Sequence, residues 1–273
     1  MARKSTKARV KDRNTGAVKQ RPWARVVNPY PPNELLGAEQ VEAIHDTSMS
    51  ILERFGIEFR NDEALRLLHE AGAQVDHENQ LVRFDRAMVM EHIAHAPASV
   101  RLNARNADRF VDIGGSSINF DSVGGPPNSS DLANGRRMGC FADLQRFVRL
   151  TQSLNVLHLV GGAPIAAVDL DPVTRHLDTN YAFITLSDKA WHTTGIGRER
   201  VTDAIEMLAI THEMSREELT RTPCTFSVIN VNSPRRFDEA MADGLMEMAL
   251  SGQVACVTPF TLCGAMSPIT LAG

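Results

Sequence analysis

Side chains capable of chemistry in this 273-residue chain fall at the ends of short apolar runs. Asp121 follows Ile118-Asn119-Phe120 and precedes Ser122-Val123-Gly124-Gly125-Pro126-Pro127. A carboxylate in that place either faces a cation or closes an Asx-turn. Trp191 and His192 are neighbours in Lys189-Ala190-Trp191-His192-Thr193. In an extended strand they face opposite sides, so only one of them reaches a given site. Trp191 would offer a ring face and His192 a hydrogen bond; packing is the competing use of each. Asn230 and Asn232 end a further run, where an amide either orients a carboxylate or shapes a turn. Phe260, after Thr258-Pro259, is placed to wall a pocket.

Other chemistries find little support. Gly195-Ile196-Gly197 is half of a dinucleotide-binding pattern and lacks its third glycine. Cys140, Cys224, Cys256 and Cys263 form no CxxC pair, and His158, His176 and His212 stand at no metal-ligand spacing from them. No metal site is expected, and the cysteines read as reduced thiols of a cytoplasmic protein. Met241, Met246 and Met248 read as helix packing.

The elements that must position these residues are of two kinds. Residues 33–116 predict a small α+β region. A helix runs from about Glu39 to Phe55, with Gly56 as its left-handed cap. A second starts at Asn61 or Asp62 and ends at Gly72, and a hairpin has its polar tip at His77 to Gln80. Asp85 caps a third helix ahead of Pro97, and strands are expected at Ser99 to Ala104 and Phe110 to Ile113. Residues 117–273 change character. Apolar runs start at Ile118, Val156, Lys189, Cys224 and Val254, separated by 38, 33, 35 and 30 residues. Helical stretches lie between them at Phe141 to Ser153, Pro172 to Leu186, Arg200 to Met214 and Arg236 to Leu250, with Asp171-Pro172 and Ser233-Pro234 as start signals. Strand and helix alternating at this period indicates a parallel α/β sheet. The expected fold is a TIM-type (β/α)8 barrel, incomplete in this chain at about five β/α units. An open five-stranded sheet is the competing arrangement.

Net charge is -4, which does not suit nucleic-acid binding, and no apolar run is long enough to span a membrane. The first 25 residues carry nine Lys or Arg against one acid, Asp12, so residues 1–32 read as a basic, disordered tail and linker.

Several segments, taken in order, resemble the trimethylamine methyltransferase family. They are Gln40-Val41-Glu42-Ala43-Ile44-His45, Ile51-Leu52-Glu53-Arg54-Phe55-Gly56-Ile57, Ala64 to Ala73, Ala104-Arg105-Asn106, Gly124-Gly125-Pro126-Pro127, and Val257-Thr258-Pro259-Phe260 running into Ala265 to Gly273. The resemblance implies a β/α-barrel enzyme. It would move a methyl group from a methylated amine, either trimethylamine or a quaternary amine such as glycine betaine, to reduced cobalt. The corrinoid would be carried by a partner protein, with no cofactor bound directly. The pyrrolysine that some members use would lie beyond Gly273. A quaternary ammonium has no N–H to donate, so it must be held by carboxylates, aromatic faces and shape. On that reading Asp121, Phe120, Trp191, His192, Asn230 and Phe260 are the candidate substrate-binding residues, Gly124 and Gly125 the corrinoid-facing loop, and the full-length protein a homo-oligomer. The alternatives are an inactive barrel fragment and a barrel enzyme of unrelated chemistry.

Overall fold

The computed structural model describes residues 19–259 and 261–270. Five chain segments pair in parallel, each beside the next in sequence. Asp121 bridges Leu159, and Val160 bridges Trp191 of β10 (Trp191–His192). Strand β10 pairs with β11 (Thr225–Val231), and β11 pairs with β13 (Val254–Pro259) from Phe226↔Val254 to Val231↔Pro259. The crossovers carry α4 (Phe141–Ser153), α5 (Arg175–Leu186), α6 (Arg198–His212) with the short α7 (Arg216–Thr220), and α8 (Glu239–Leu250).

Alternation along β11 explains the packing of this array. Thr225, Ser227 and Ile229 face the helices, while Phe226, Val228 and Asn230 face the other side. The helix side is filled by Leu144, Val148, Phe183, Trp191, Ile205, Leu208 and Met248. On the other side Leu159, Ala190 and Phe226 meet Leu102 and Val111. Those two belong to the antiparallel hairpin of β5 (Ser99–Leu102) and β6 (Val111–Gly114). The hairpin closes one end of the array. Trp23 packs there too, edge-on to His158 at 5.8 Å between centroids.

The N-terminal region holds α1 (Ala38–Arg54), α2 (Asp62–Glu70) and α3 (Arg86–Ile93). Its strands are β2 (Ile57–Phe59), β3 (Gln74–Asp76) and β4 (Leu81–Arg83). Asn61 caps α2 by accepting the Ala64 N–H at 2.9 Å, and Asp85 caps α3 through Ala87 and Met88. Gly56 ends α1 at φ +69°, as its position predicts. The apolar stripe of α1 stays uncovered: Val41 is 54% exposed and Phe55 54%. The region joins the array through β12 (Arg236–Phe237), which pairs in parallel with β2, and through Asn61, which donates to Asp243 at 2.9 Å.

Two expectations need correction, and one element is additional. Residues 19–28 are not a solvated tail. Gln20 bonds Ser153 and Asn155, and β1 (Val26–Val27) pairs with β7 (Ser117–Ile118), because Trp23 has apolar surface to bury; residues 1–18 lie outside the described residues. Ser233-Pro234 does not start a helix. It turns the chain into β12, with Arg235 at φ +50°, and α8 begins later under the Asp238 cap. A hairpin of β8 (Asn128–Asp131) and β9 (Gly135–Met138), unforeseen in sequence, occupies the first crossover. Among the described residues no helix is long and apolar enough to cross a membrane.

Candidate functional site

The end of the array away from the β5–β6 hairpin opens into a cavity of about 710 Å³. One wall is made by the segments where the parallel strands end: Asp121, Gly161-Gly162, His192 to Gly195, and Phe226, Val228 and Asn230 of β11. The other is made by α5 and the start of α6: Arg175, His176, Thr179, Asn180, Phe183 and Arg200.

Asp121 is exposed to the cavity, with Gly161 close against its carboxyl, which is thereby partly desolvated. That desolvation pushes its pKa up to about 7, opposed by the Ser122 N–H that donates to Oδ1 at 2.8 Å. The close approach needs glycine across the cleft. A Cβ on Gly161 would overlap the Ser122 carbonyl and the Asp121 carboxyl, and one on Gly124 would stand 2.5 Å from the Gly161 carbonyl. Gly125 donates to the Ala163 carbonyl at 2.8 Å, tying its loop to the second strand end.

His192 lies flat on Phe226, with centroids 4.9 Å apart and planes 18° apart. Its Nε2 accepts the Val228 backbone N–H at 3.1 Å, which assigns the ring proton to Nδ1. Burial lowers the His192 pKa to about 4, so the ring is neutral near pH 7. Asn230 accepts from Thr258 Oγ1 at 3.1 Å through Oδ1.

Of the residues predicted from sequence, Asp121, Gly124, Gly125, His192 and Asn230 come together here. Phe120 and Trp191 do not. Phe120 stacks on His158 at 5.9 Å, on the face of its segment opposite Asp121. Trp191 is buried against Phe183 at 5.6 Å, on the helix side of the sheet. In both cases the pleat turns the neighbouring residue into the cavity and the aromatic away from it. Asn232 donates to Asp238 at 2.7 Å and takes no part. Phe260 lies outside the described residues. Sequence reasoning missed Phe226 and Val228, although counting back by twos from Asn230 reaches both. It also missed the whole α5–α6 wall.

That wall is polar and poorly satisfied. His176 Nε2 meets Asp203 Oδ2 at 2.7 Å. Its Nδ1, the Asn180 amide nitrogen and Thr193 Oγ1 are buried without a hydrogen-bond partner among the described residues. The cavity thus presents polar atoms that no described residue pairs with. Among the described residues no cluster of His, Cys, Asp or Glu suits a metal ion.

The sequence pattern of the trimethylamine methyltransferase (MTTB) family matches residues 2–273. This chain belongs to that family. Two curated relatives are similar to it. A glycine betaine methyltransferase from Desulfitobacterium hafniense (strain Y51) is 33% identical over 243 residues, covering 89% of this chain and 50% of the relative. A trimethylamine methyltransferase MttB from Desulfitobacterium hafniense (strain DSM 10664 / DCB-2) is 24% identical over 237 residues, covering 86% of this chain and 47% of the relative. The chain thus spans about half the length of the curated relatives it matches.

Proposed function

We propose that the protein takes part in methyl transfer from a methylated amine to the cobalt of a corrinoid carried by a partner protein, and that the cavity holds the amine. The observation that carries this reading is Asp121, the only carboxylate among the cavity-lining residues, held at a strand end beside a bare glycine rim. Reduced cobalt would supply the nucleophile, so the chain's own tasks are to bind the ammonium, aim one N-methyl group outward and exclude water. With its pKa raised to about 7, Asp121 can face the ammonium as the anion or hold the proton that a departing amine takes up. Phe226 and the neutral His192 form an apolar, uncharged floor under the methyl groups. Gly124, Gly125, Gly161 and Gly162 leave backbone without side chains along one rim, which suits the approach of a flat macrocycle.

We further propose that the five parallel segments are the first part of a (β/α)8 barrel. Their pairing in chain order supports this, as do the helical crossovers and the outer edge of β13, which carries no strand among the described residues. The testing experiment mixes the protein, a reduced corrinoid protein and individual methylated amines, and follows the cobalt absorbance. Methylcobalt should appear with at least one tertiary or quaternary methylamine. No spectral change with any of them would overturn the reading.

A further inference from the structure

Asp121 stands in the cavity, but what fixes it lies on the closed side of its segment. Among the described residues Asp121 bridges only Leu159. Phe120, just before it, is held twice by His158. The Phe120 carbonyl accepts the His158 backbone N–H at 2.8 Å, as in a parallel ladder. A regular ladder would give the Phe120 N–H a backbone acceptor too, but the chain there, at Asn155 and Val156, is still in a turn. The N–H donates instead to Nδ1 of the His158 ring at 3.0 Å. The ring proton is thereby assigned to Nε2, which donates to the Ala24 carbonyl at 3.0 Å. Residues 20–28 form a strap fixed at both ends. The Gln20 amide donates to the Ser153 carbonyl at 2.8 Å, and the Asn155 amide to the Arg21 carbonyl at 3.0 Å. At the other end Val26 and Val27 pair with Ile118 and Ser117, and the Asn28 N–H donates to the Ser116 carbonyl at 2.8 Å.

His158 is 1% exposed, with Phe120 stacked on its ring and Trp23 meeting it edge-on. The ring therefore has one orientation, set by Trp23 and Ala24, and it fixes the peptide that leads into Asp121. The pleat then turns the Asp121 side chain to the face opposite Phe120, into the cavity. We infer that His158 is a positioning residue: through the Phe120 N–H it keeps the Asp121 carboxyl facing the cavity, and through Ala24 it takes its own place from the strap. Without the ring acceptor the Phe120 N–H would be left unpaired, and turning that peptide toward water relieves the loss. Phe120 is 45% exposed, so water is within reach, and Asp121 would turn away with the peptide. The inference rests on the ammonium site proposed above only for the ligand that reads it out; where the carboxyl sits can be measured without one.

The two ring nitrogens can be replaced separately in the full-length protein. Asparagine places an oxygen acceptor near the Nδ1 position and glutamine a donor near the Nε2 position. His158→Asn therefore keeps the bond to Phe120, and His158→Gln keeps the bond to Ala24. The first readout is the titration of the Asp121 carboxyl by carbon NMR, its resonance identified by its loss in Asp121→Asn. Wild type should titrate at about 7. His158→Gln should bring the titration down toward the ordinary carboxylate range, because the carboxyl has moved into water, and His158→Asn should lower it much less. The second readout is tetramethylammonium affinity well above pH 7, where the carboxyl is ionised in every protein. It should fall about fivefold in His158→Gln and little in His158→Asn. A histidine that only packs would lower the melting temperature in both variants and move neither readout, or move each readout equally in both; either result overturns the proposal. If His158→Gln fails to fold, Trp23→Leu decides, since it removes the ring beside His158 and keeps the strap apolar. It should lower the titration by a smaller amount, and an unchanged titration overturns the proposal. If tetramethylammonium does not bind, or binds Asp121→Asn as well as wild type, while the Asp121 titration still separates the two His158 variants, the ammonium reading fails and the positioning role stands.

Discussion

The two ends of the parallel array are built on opposite principles. At the closed end Leu102, Val111, Leu159 and Ala190 are at most a few per cent exposed, and Trp23 seals them from outside. His158 serves that end with both ring nitrogens engaged, Nδ1 by the Phe120 N–H at 3.0 Å and Nε2 with the Ala24 carbonyl at 3.0 Å. At the open end a carboxyl is partly desolvated, His192 is buried neutral, and three polar atoms have no hydrogen-bond partner among the described residues. The closed end is an apolar plug that contributes stability, although Trp23 Nε1 has no partner among the described residues. The open end is polar, and burial shifts the pKa values of its titratable groups.

Substitutions can break this contrast. Leu102→Ala at the closed end should cost about 2–5 kcal/mol in a chemical denaturation experiment, since Leu102 is fully buried and its hairpin cannot collapse over the void. A cost near that of an exposed leucine would mean the closed end is not a packed plug. Asp121→Asn at the open end should fold at least as stably as wild type but weaken quaternary ammonium binding about tenfold, on the order of 1.4 kcal/mol. A variant that unfolds would place Asp121 among the structural residues instead. Asp85→Ala, far from both ends, should lower stability by about 1 kcal/mol through loss of the α3 cap and leave ligand binding untouched.

The remaining effect is a pH dependence of stability. The folded-state pKa of Asp121 is raised above its unfolded value, so its contribution is present below the unfolded pKa and is lost as pH rises through about 7. Asp121→Asn should therefore gain stability relative to wild type between pH 5 and 8, read as a difference of melting temperatures. A constant difference across that range would mean that the carboxyl is not desolvated.

How much of this was legible beforehand follows from local chemistry. Asn61 and Asp85 announce helix starts through side chains that bond their own helix, and Gly56 announces an end through its φ, so these stand out in a bare sequence. Asp121 was legible because a carboxylate at the end of an apolar run is out of place. Which of two neighbours faces inward was not, because alternation needs a phase that only the neighbouring strand supplies. Trp191 and His192 therefore stayed alternatives, and Phe120 shared candidacy with Asp121 although it faces the other way. The β8–β9 hairpin had one signal, Asn134-Gly135, where Asp131 accepts from the Ala133 and Asn134 N–H groups, but its strands are polar and show no alternation. The α5–α6 wall had none. Arg175, His176, Thr179 and Asn180 look like the solvated face of any helix, and only packing against the strand ends turns that face into a cavity wall.

The central claim is that Asp121 marks the ammonium end of the cavity, and the affinity of tetramethylammonium measured as a function of pH tests it most directly. A cation favours the ionised carboxyl, so affinity should rise with pH through about 7 and level off above it, and Asp121→Asn should give a weaker and flat profile. Identical pH profiles for the two proteins would contradict the claim.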